Sequence, residues 1–148
     1  MKKFKKRALE EEELAFHSVT PLAIRDIDMF GHYVSYPFIE RYWAMRGKAG
    51  LGKAVKFHGY WESDAVKSPV AKVSCGWYEF EKPSPYRRVI VVGNESRKEA
   101  VTGLVIDWKK LGIEPAELED LWDGKKYTSD SIATFALPGG HFTYLGIR

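Results

Sequence analysis

The segment most informative about the fold is RDIDMFGHYVSYPFIERYWAMR, residues Arg25–Arg46. Two aspartates, Asp26 and Asp28, stand directly before a Gly-His turn, and an amphipathic, aromatic-rich run follows. The spacing of its apolar residues predicts a helix over about Pro37–Gly47, with proline in the first turn and glycine at the end. A carboxylate held at the start of such a helix is well placed to act on a bound carbonyl, whose oxygen the N-terminal peptide N–H groups can polarise.

The composition is typical of one globular domain. The chain has 148 residues, which is long enough to bury a core. Apolar residues make up 45% and charged residues 29%, which argues against a disordered chain. The net charge of +3 is far below that of a nucleic-acid-binding surface, so we expect no nucleic-acid partner. The four histidines lack metal-ligand spacing, so we expect no metal.

The cysteine content and the first residues bear on the cellular location. Cys75 is the single cysteine, so an intramolecular disulfide is impossible. No apolar run approaches the roughly 18–20 residues that cross a bilayer. The opening MKKFKKRALEEEEL is basic and then acidic, without the apolar stretch of a secretory signal. We therefore expect a cytoplasmic protein without a membrane partner.

The charge pattern divides the chain into a charged N-terminal tail, residues 1–13, and a single domain, residues 14–148. The tail is interpreted as solvated or as a short charged helix. Apolar residues around Pro21 predict a strand over Pro21–Ile27 that ends at the turn before the main helix.

Beyond Gly52 the alternation of apolar and polar residues is typical of β-structure. Strands are predicted over Ala54–Trp61, Val70–Phe80, Tyr86–Val92 and Ala100–Trp108. The turn at residues 93–96 predicts a hairpin between the last two. A short helix over Glu114–Leu121 and closing segments Ile132–Leu137 and His141–Ile147 complete the prediction. The fold class is α+β, with an antiparallel sheet packed on one main helix.

The acidic motif carries a family resemblance. In the order strand, D-x-D-x-x-G, aromatic stretch and helix, the segment resembles the hot-dog-fold acyl-CoA thioesterases of the 4-hydroxybenzoyl-CoA thioesterase type. Asp26, Asp28, Gly31 and then Phe38 and Tyr42 fit that order. Ser68–Val92 is similar to the family's second and third strands, so the resemblance covers roughly residues 22–92. It implies a hot-dog fold, in which a curved antiparallel sheet wraps around one long central helix. It also implies a homodimer or homotetramer with active sites between protomers.

The resemblance also implies an activity, hydrolysis of an acyl- or aryl-thioester of CoA or a carrier protein. Asp28 would be the nucleophile or the general base that activates a water. Backbone N–H groups near Gly31 and His32 would stabilise the oxyanion, and His32 would orient Asp28 or line the pocket. No cofactor is required beyond the CoA of the substrate. The substrate-binding residues would be Asp26, Tyr36, Phe38, Tyr42, Trp77, Arg87 and Arg88, the two arginines being suited to a CoA phosphate.

The C-terminal segment supports a different expectation. IATFALPGGHFTYLGIR, Ile132–Arg148, resembles a strand-turn-strand element of the effector-binding domains related to gyrase inhibitory proteins and multidrug-sensing regulators. That resemblance implies a non-enzymatic domain that binds an amphipathic cation in an aromatic cleft through a buried glutamate and cation–π contacts. The candidates are Glu40, Glu79 and Glu81, beside Trp43 or Trp77. The segment Lys109–Tyr127 departs from the thioesterase pattern.

Overall fold

A computed structural model describes residues 2–27, 35–82 and 85–148. Its helices are α1 (Lys2–Ala23), α2 (Tyr36–Ala49) and the short α3 (Trp108–Leu111), with 3₁₀ turns at Leu51–Lys53 and Ser131–Thr134. The strands are β1 (Ala54–His58), β2 (Val66–Lys67), β3 (Val73–Phe80), β4 (Arg88–Asn94), β5 (Ala100–Val101), β6 (Val105–Ile106), β7 (Leu118–Asp120), β8 (Lys126–Tyr127), β9 (Ala136–Leu137) and β10 (Phe142–Ile147). The predicted α+β class with a mostly antiparallel sheet is confirmed.

The main sheet has six strands in the order β1-β3-β4-β10-β7-β8, and each neighbouring pair is antiparallel. Two further pairs, β2-β6 and β5-β9, form small separate sheets. Strand β10 is buried along its whole length, and β4 is buried from its second residue onward. Because side chains alternate between the faces of a sheet, burial of this kind requires cover on both faces.

Helices α1 and α2 cover one face of the sheet, which we call the helix face. Phe16 of α1 meets Phe38 of α2 edge-on, with ring centroids 4.9 Å apart, and Phe16 also contacts Phe142 of β10. The close approach of α1 depends on Gly93 in β4, because a Cβ atom there would lie 2.5 Å from Ile24 Cγ2. The Thr20 hydroxyl of α1 also donates a hydrogen bond to the Gly140 carbonyl, at 2.6 Å.

The chain between β4 and β10 covers the opposite face. Leu104, Leu111, Ile132 and Phe135 of this segment pack against Ile90 and other residues of the sheet. The amide of Asn94 holds the segment in place, since its Nδ2 donates to the carbonyls of Lys98 and Leu137 at 2.9 and 3.1 Å. The two faces therefore have separate cores, one helical and one built from loops and short strands.

The strand predicted over Pro21–Ile27 is wrong, because α1 continues through Pro21 to Ala23. The helix then ends in a Schellman-type cap. The N–H of Ile27 donates to the Leu22 carbonyl at 2.9 Å, and the N–H of Asp26 donates to the Ala23 carbonyl at 3.1 Å. Asp26 has φ +57°, a left-handed conformation that aspartate tolerates better than most residues.

The hairpin predicted at residues 93–96 is also wrong. Strand β4 pairs with β3 and β10, whereas the predicted strand Ala100–Trp108 consists of β5, β6 and the first residue of α3. The predicted helix Glu114–Leu121 is instead β7 and the turns beside it, and α3 begins earlier, where the Asp107 carboxylate accepts the N–H of Lys110. The closing segment Ile132–Leu137 is a 3₁₀ turn followed by β9.

Four predicted strands and the helix over Pro37–Gly47 are confirmed as elements, but the expectation of one main helix is wrong, because the longer α1 packs beside α2 on the same face. The helix predicted over Pro37–Gly47 is α2, and residues 2–13 form the first half of α1. Strands β1, β3, β4 and β10 lie in the segments predicted to form strands from Ala54, Val70, Tyr86 and His141.

Gly93→Ala tests the packing of α1 on the sheet. The added methyl group is expected to lower the free energy of unfolding by about 1–3 kcal/mol, because it overlaps Ile24 and Thr20. The matched control is Gly47→Ala within α2, where a Cβ meets nothing within 4 Å. That change is expected to raise the free energy of unfolding by up to about 1 kcal/mol through helix propensity. Urea denaturation measures both. A Gly93→Ala protein as stable as the parent would contradict the close approach of α1.

Candidate functional site

The predicted catalytic residues Asp28, Gly31 and His32 lie outside the described residues. The predicted substrate-binding residues are described, and four of them lie on opposite faces of the sheet. Asp26, Phe38 and Tyr42 belong to the helix face, while Trp77 belongs to the opposite core. The structure therefore does not bring these residues together in one site.

Asp26 and Tyr42 belong to a polar network that we call the tyrosine–arginine cluster, made of Asp26, Tyr42, Arg46, Tyr78 and Tyr144. Arg46, in the last turn of α2, donates through Nη1 to the Tyr144 hydroxyl at 2.8 Å. The hydroxyls of Tyr42 and Tyr144 are 3.2 Å apart. The Tyr78 hydroxyl donates to Asp26 Oδ1 at 2.7 Å, and Arg46 Nη2 lies 3.6 Å from the same oxygen.

The three tyrosines of the cluster are buried, Arg46 is partly buried, and the polar groups satisfy one another. Tyr42, Tyr78 and Tyr144 are at most 1% exposed. Burial raises the pKa of the Tyr78 and Tyr144 hydroxyls, so both stay protonated and remain hydrogen-bond donors. The guanidinium of Arg46 keeps its charge and has the carboxylate of Asp26 beside it. The cluster thereby joins the end of α1, helix α2 and the sheet.

The other predicted contacts have separate surroundings. Tyr36 is 71% exposed, and Phe38 is buried against Phe16. Trp77 stacks on His58, with ring centroids 3.9 Å apart, and its Nε1 donates to Ser63 Oγ at 3.0 Å. The guanidinium of Arg88 lies 5.9 Å from the Trp77 ring centroid.

The glutamates predicted to bind a cation are not buried. Glu40 and Glu81 are exposed, and Glu79 is partly exposed. Glu79 Oε2 lies 2.9 Å from His58 Nε2, and the hydrogen bond from His58 lowers the pKa of Glu79. The prediction of a buried glutamate is therefore wrong for these three residues.

The buried carboxylate of an open cleft is instead Asp120, at the end of β7, which is 4% exposed. Its Oδ1 accepts hydrogen bonds from the Thr143 hydroxyl at 2.5 Å and from the Trp122 N–H at 2.8 Å. Asp120 lines a cleft of about 330 Å³, which we call the Asp120 cleft. Aromatic rings form much of its wall, namely Phe16, Trp122, Tyr127, Phe135, His141 and Phe142, and Asp123 and Lys125 also line it.

Asp120 has hydrogen-bond donors but no ion-pair partner among the residues that the structure describes. Burial raises the pKa of its carboxyl and the nearby Asp123 raises it further, although the Thr143 and Trp122 donors act in the other direction. Among residues 2–27, 35–82 and 85–148, no cationic nitrogen forms an ion pair with it within 4.0 Å. Burial therefore removes water from the ionised Asp120 carboxylate, and no cation among the described residues replaces that water.

Two cationic side chains already lie against rings of the aromatic wall. The guanidinium of Arg41 lies 4.0 Å from the Trp122 ring centroid, and Lys125 Nζ lies 5.4 Å from that of Tyr127. Inside the wall, Phe16 stacks on His141 with centroids 3.8 Å apart. These contacts hold the rings of the cleft wall in fixed positions.

Sequence reasoning missed Asp120 because it assigned residues 114–121 to a helix. The available signal was the run DLWDGK, residues 120–125, in which an aspartate pair and a glycine are typical of a turn. Gly124 has φ +79°, as that turn requires. The burial of Asp120 follows from its contact with β10, which is distant in the sequence.

Comparison with known proteins does not assign the chain to a family. No protein-family model matches it, and no curated protein matches it. In the part of the chain that the structure describes, no group of three or more potential ligands is placed to hold a metal ion. None of the described helices combines the length and apolar character needed to cross a membrane.

Arg46→Met tests the tyrosine–arginine cluster. The change keeps much of the side-chain volume but removes the donor to Tyr144 and the charge beside Asp26. We expect the free energy of unfolding to fall by about 1.5–3 kcal/mol, the range for hydrogen bonds to charged groups. The control Arg97→Met alters an exposed arginine and is expected to change it by less than about 0.5 kcal/mol. Equal stability of the two variants in urea denaturation would show that the cluster is not stabilising.

Proposed function

We propose that this chain is a small-molecule binding domain whose Asp120 cleft takes an organic cation. The observation that carries the proposal is the buried carboxylate of Asp120, which lines an open cleft and has no ion-pair partner among the described residues. A carboxylate in this state is stabilised when an opposite charge enters the same desolvated space.

The size and wall of the cleft favour a small cation with an apolar body. A volume of about 330 Å³ is near the lower end of the usual range for small-molecule pockets. The rings of Phe16, Trp122 and Phe142 line the cleft and would contact the apolar body of the ligand. Asp123 adds a second negative charge at the cleft, against one lysine, Lys125.

The proposal agrees in part with the expectation drawn from the C-terminal resemblance. Phe135, His141 and Phe142, all within Ile132–Arg148, line the Asp120 cleft. The acidic residue differs from that expectation, since the proposed partner of the cation is Asp120 rather than a glutamate.

Binding of benzyltrimethylammonium, measured by isothermal titration calorimetry, tests the proposal. We expect saturable binding at one site and much weaker binding of 2-methyl-1-phenylpropan-2-ol, a neutral compound of similar shape. Asp120→Asn is expected to weaken binding of the cation about tenfold or more, because it removes the charge but keeps an oxygen for Thr143 and Trp122.

The matched control is Asp130→Asn, which removes the charge of an exposed aspartate without a side-chain cap hydrogen bond. This variant is expected to bind like the parent. Circular dichroism establishes that both variants are folded. Equal affinity of the Asp120→Asn and parent proteins, or equal binding of the neutral compound, would refute the cation site.

A second proposal is thioester hydrolysis, with the hot-dog architecture and α2 as its central helix. It is supported by the acidic motif and by the surroundings of Asp26, the first carboxylate of the pair. Asp26 is 35% exposed on its side chain and lies beside Tyr78 and Arg46. Asp26 stands two residues before Asp28 in the sequence. The hydrogen-bond donors around Asp26 therefore support a carboxylate at this point of the chain that acts on a carbonyl.

Release of free CoA from benzoyl-CoA and from a series of acyl-CoA esters tests this second proposal. We expect the parent protein to release free CoA, detected with a thiol-reactive dye. The rate of release is expected to fall at least about a hundredfold in Asp28→Asn. The control Asp130→Asn is expected to keep full activity. Absence of turnover in the parent, or full activity in Asp28→Asn, would exclude the proposed role of Asp28 and would leave the cation site untouched.

A further inference from the structure

A second cleft lies where β4 begins, on the side of the sheet opposite to the helices. It has a volume of about 700 Å³, and we call it the Trp108 cleft. Its lining includes Arg87, Trp108, Lys109, Gly112, Ile113 and Glu114. None of its lining residues belongs to the Asp120 cleft, so the two clefts are separate.

Arg88 lies beside this cleft in a fixed orientation. Its Nε donates to the Leu111 carbonyl at 2.9 Å, and its Nη1 donates to the Arg87 carbonyl at 2.7 Å. Its Nη2 lies 3.5 Å from the position that a Cβ atom would take on Gly112. Gly112 ends α3 with φ +76°. Because Gly112 lines the cleft, Arg88 Nη2 lies close to one of its walls.

Arg87 lines the cleft and supplies a second guanidinium. Its Nε donates a hydrogen bond to the Arg148 carbonyl at 2.7 Å. In the described part of the chain, no aspartate or glutamate forms an ion pair with Arg87 or Arg88 within 4.0 Å. Lys109 adds a further cation, and Glu114 is the acidic residue of the described lining. Arg87 and Lys109 therefore outnumber the one carboxylate of the described lining, and Arg88 adds a third cation beside the cleft.

Trp108 gives the cleft a flat apolar surface beside these charges. Its indole is partly buried and lines the cleft together with Ile113. Guanidinium groups match the geometry of phosphate oxygens, and an indole face stacks on other aromatic rings. A ligand that uses both features has a phosphate group attached to an aromatic body.

We propose that the Trp108 cleft binds a phosphate ester of an aromatic small molecule, the chemical class of a nucleoside monophosphate. The phosphate contacts Arg87 and Arg88, and the aromatic body stacks on Trp108. This site does not depend on the cation bound at Asp120. It uses Arg87 and Arg88, which the thioesterase resemblance assigns to a CoA phosphate, but its test requires no turnover of a thioester. Its ligand has the opposite charge to that of the Asp120 cleft.

Calorimetric titration of the full chain with adenosine monophosphate, adenosine and inorganic phosphate tests this site. We expect adenosine monophosphate to bind at one site, about tenfold or more tighter than either of the other two compounds. Arg87→Gln and Trp108→Leu are each expected to weaken that binding by about tenfold. Arg97→Gln, a change at an exposed arginine outside the cleft, is expected to leave it unchanged.

Arg87 is chosen rather than Arg88 because the side chain of Arg88 also holds α3 in place through Leu111. Thermal unfolding followed by circular dichroism establishes that each variant is folded. Three results would overturn the proposal: no binding of adenosine monophosphate up to about 10 mM, an affinity unchanged by Arg87→Gln, or inorganic phosphate bound as tightly as the ester. None of these bears on the Asp120 cleft, which benzyltrimethylammonium tests separately.

Discussion

The fold depends on the hydrogen bonds and opposite charges that replace water around its buried charged groups. A buried charge is tolerated when hydrogen bonds and an opposite charge replace its hydration shell. Arg46 has both, since the hydroxyls of Tyr42 and Tyr144 and the carboxylate of Asp26 surround it. Within the described residues Asp120 has only hydrogen bonds, which the Thr143 hydroxyl and the Trp122 N–H donate. The difference separates a structural cluster from a candidate binding site.

The fold determines where such sites can occur. Both faces of the central strands β4 and β10 are covered, one by α1 and α2 and the other by the chain between the two strands. Clefts therefore form where a covering layer meets the sheet or its ends. The Asp120 cleft lies between Phe16 of α1, the turn after β7 and the last segment of the chain, and the Trp108 cleft lies where α3 meets the start of β4.

The parts of the fold that sequence analysis predicts correctly have local causes. Helix α2 follows from its apolar spacing between proline and glycine, and β3 and β4 follow from their β-branched and alternating residues. The errors have non-local causes. Pro21 suggests a break, yet α1 continues because Val19, Ala23 and Ile24 pack in the core of the helix face. The turn after Val92 suggests a local hairpin, yet β10 occupies that side of β4. Asp120, which the sequence places in a predicted helix, lies in β7 and is buried through tertiary contact with β10, including its hydrogen bond from Thr143.

Carbon NMR of the Asp120 carboxyl measures its pKa with and without saturating benzyltrimethylammonium, and so tests directly whether a cation binds beside this group. Without ligand, burial is expected to hold this pKa above the ordinary value of 3.8. A bound cation favours the ionised carboxylate, so binding releases a proton below the raised pKa and lowers the pKa of Asp120. A pKa that starts above 3.8 and falls when the cation binds would support the account. A pKa of Asp120 that does not change on saturation with the cation would contradict it.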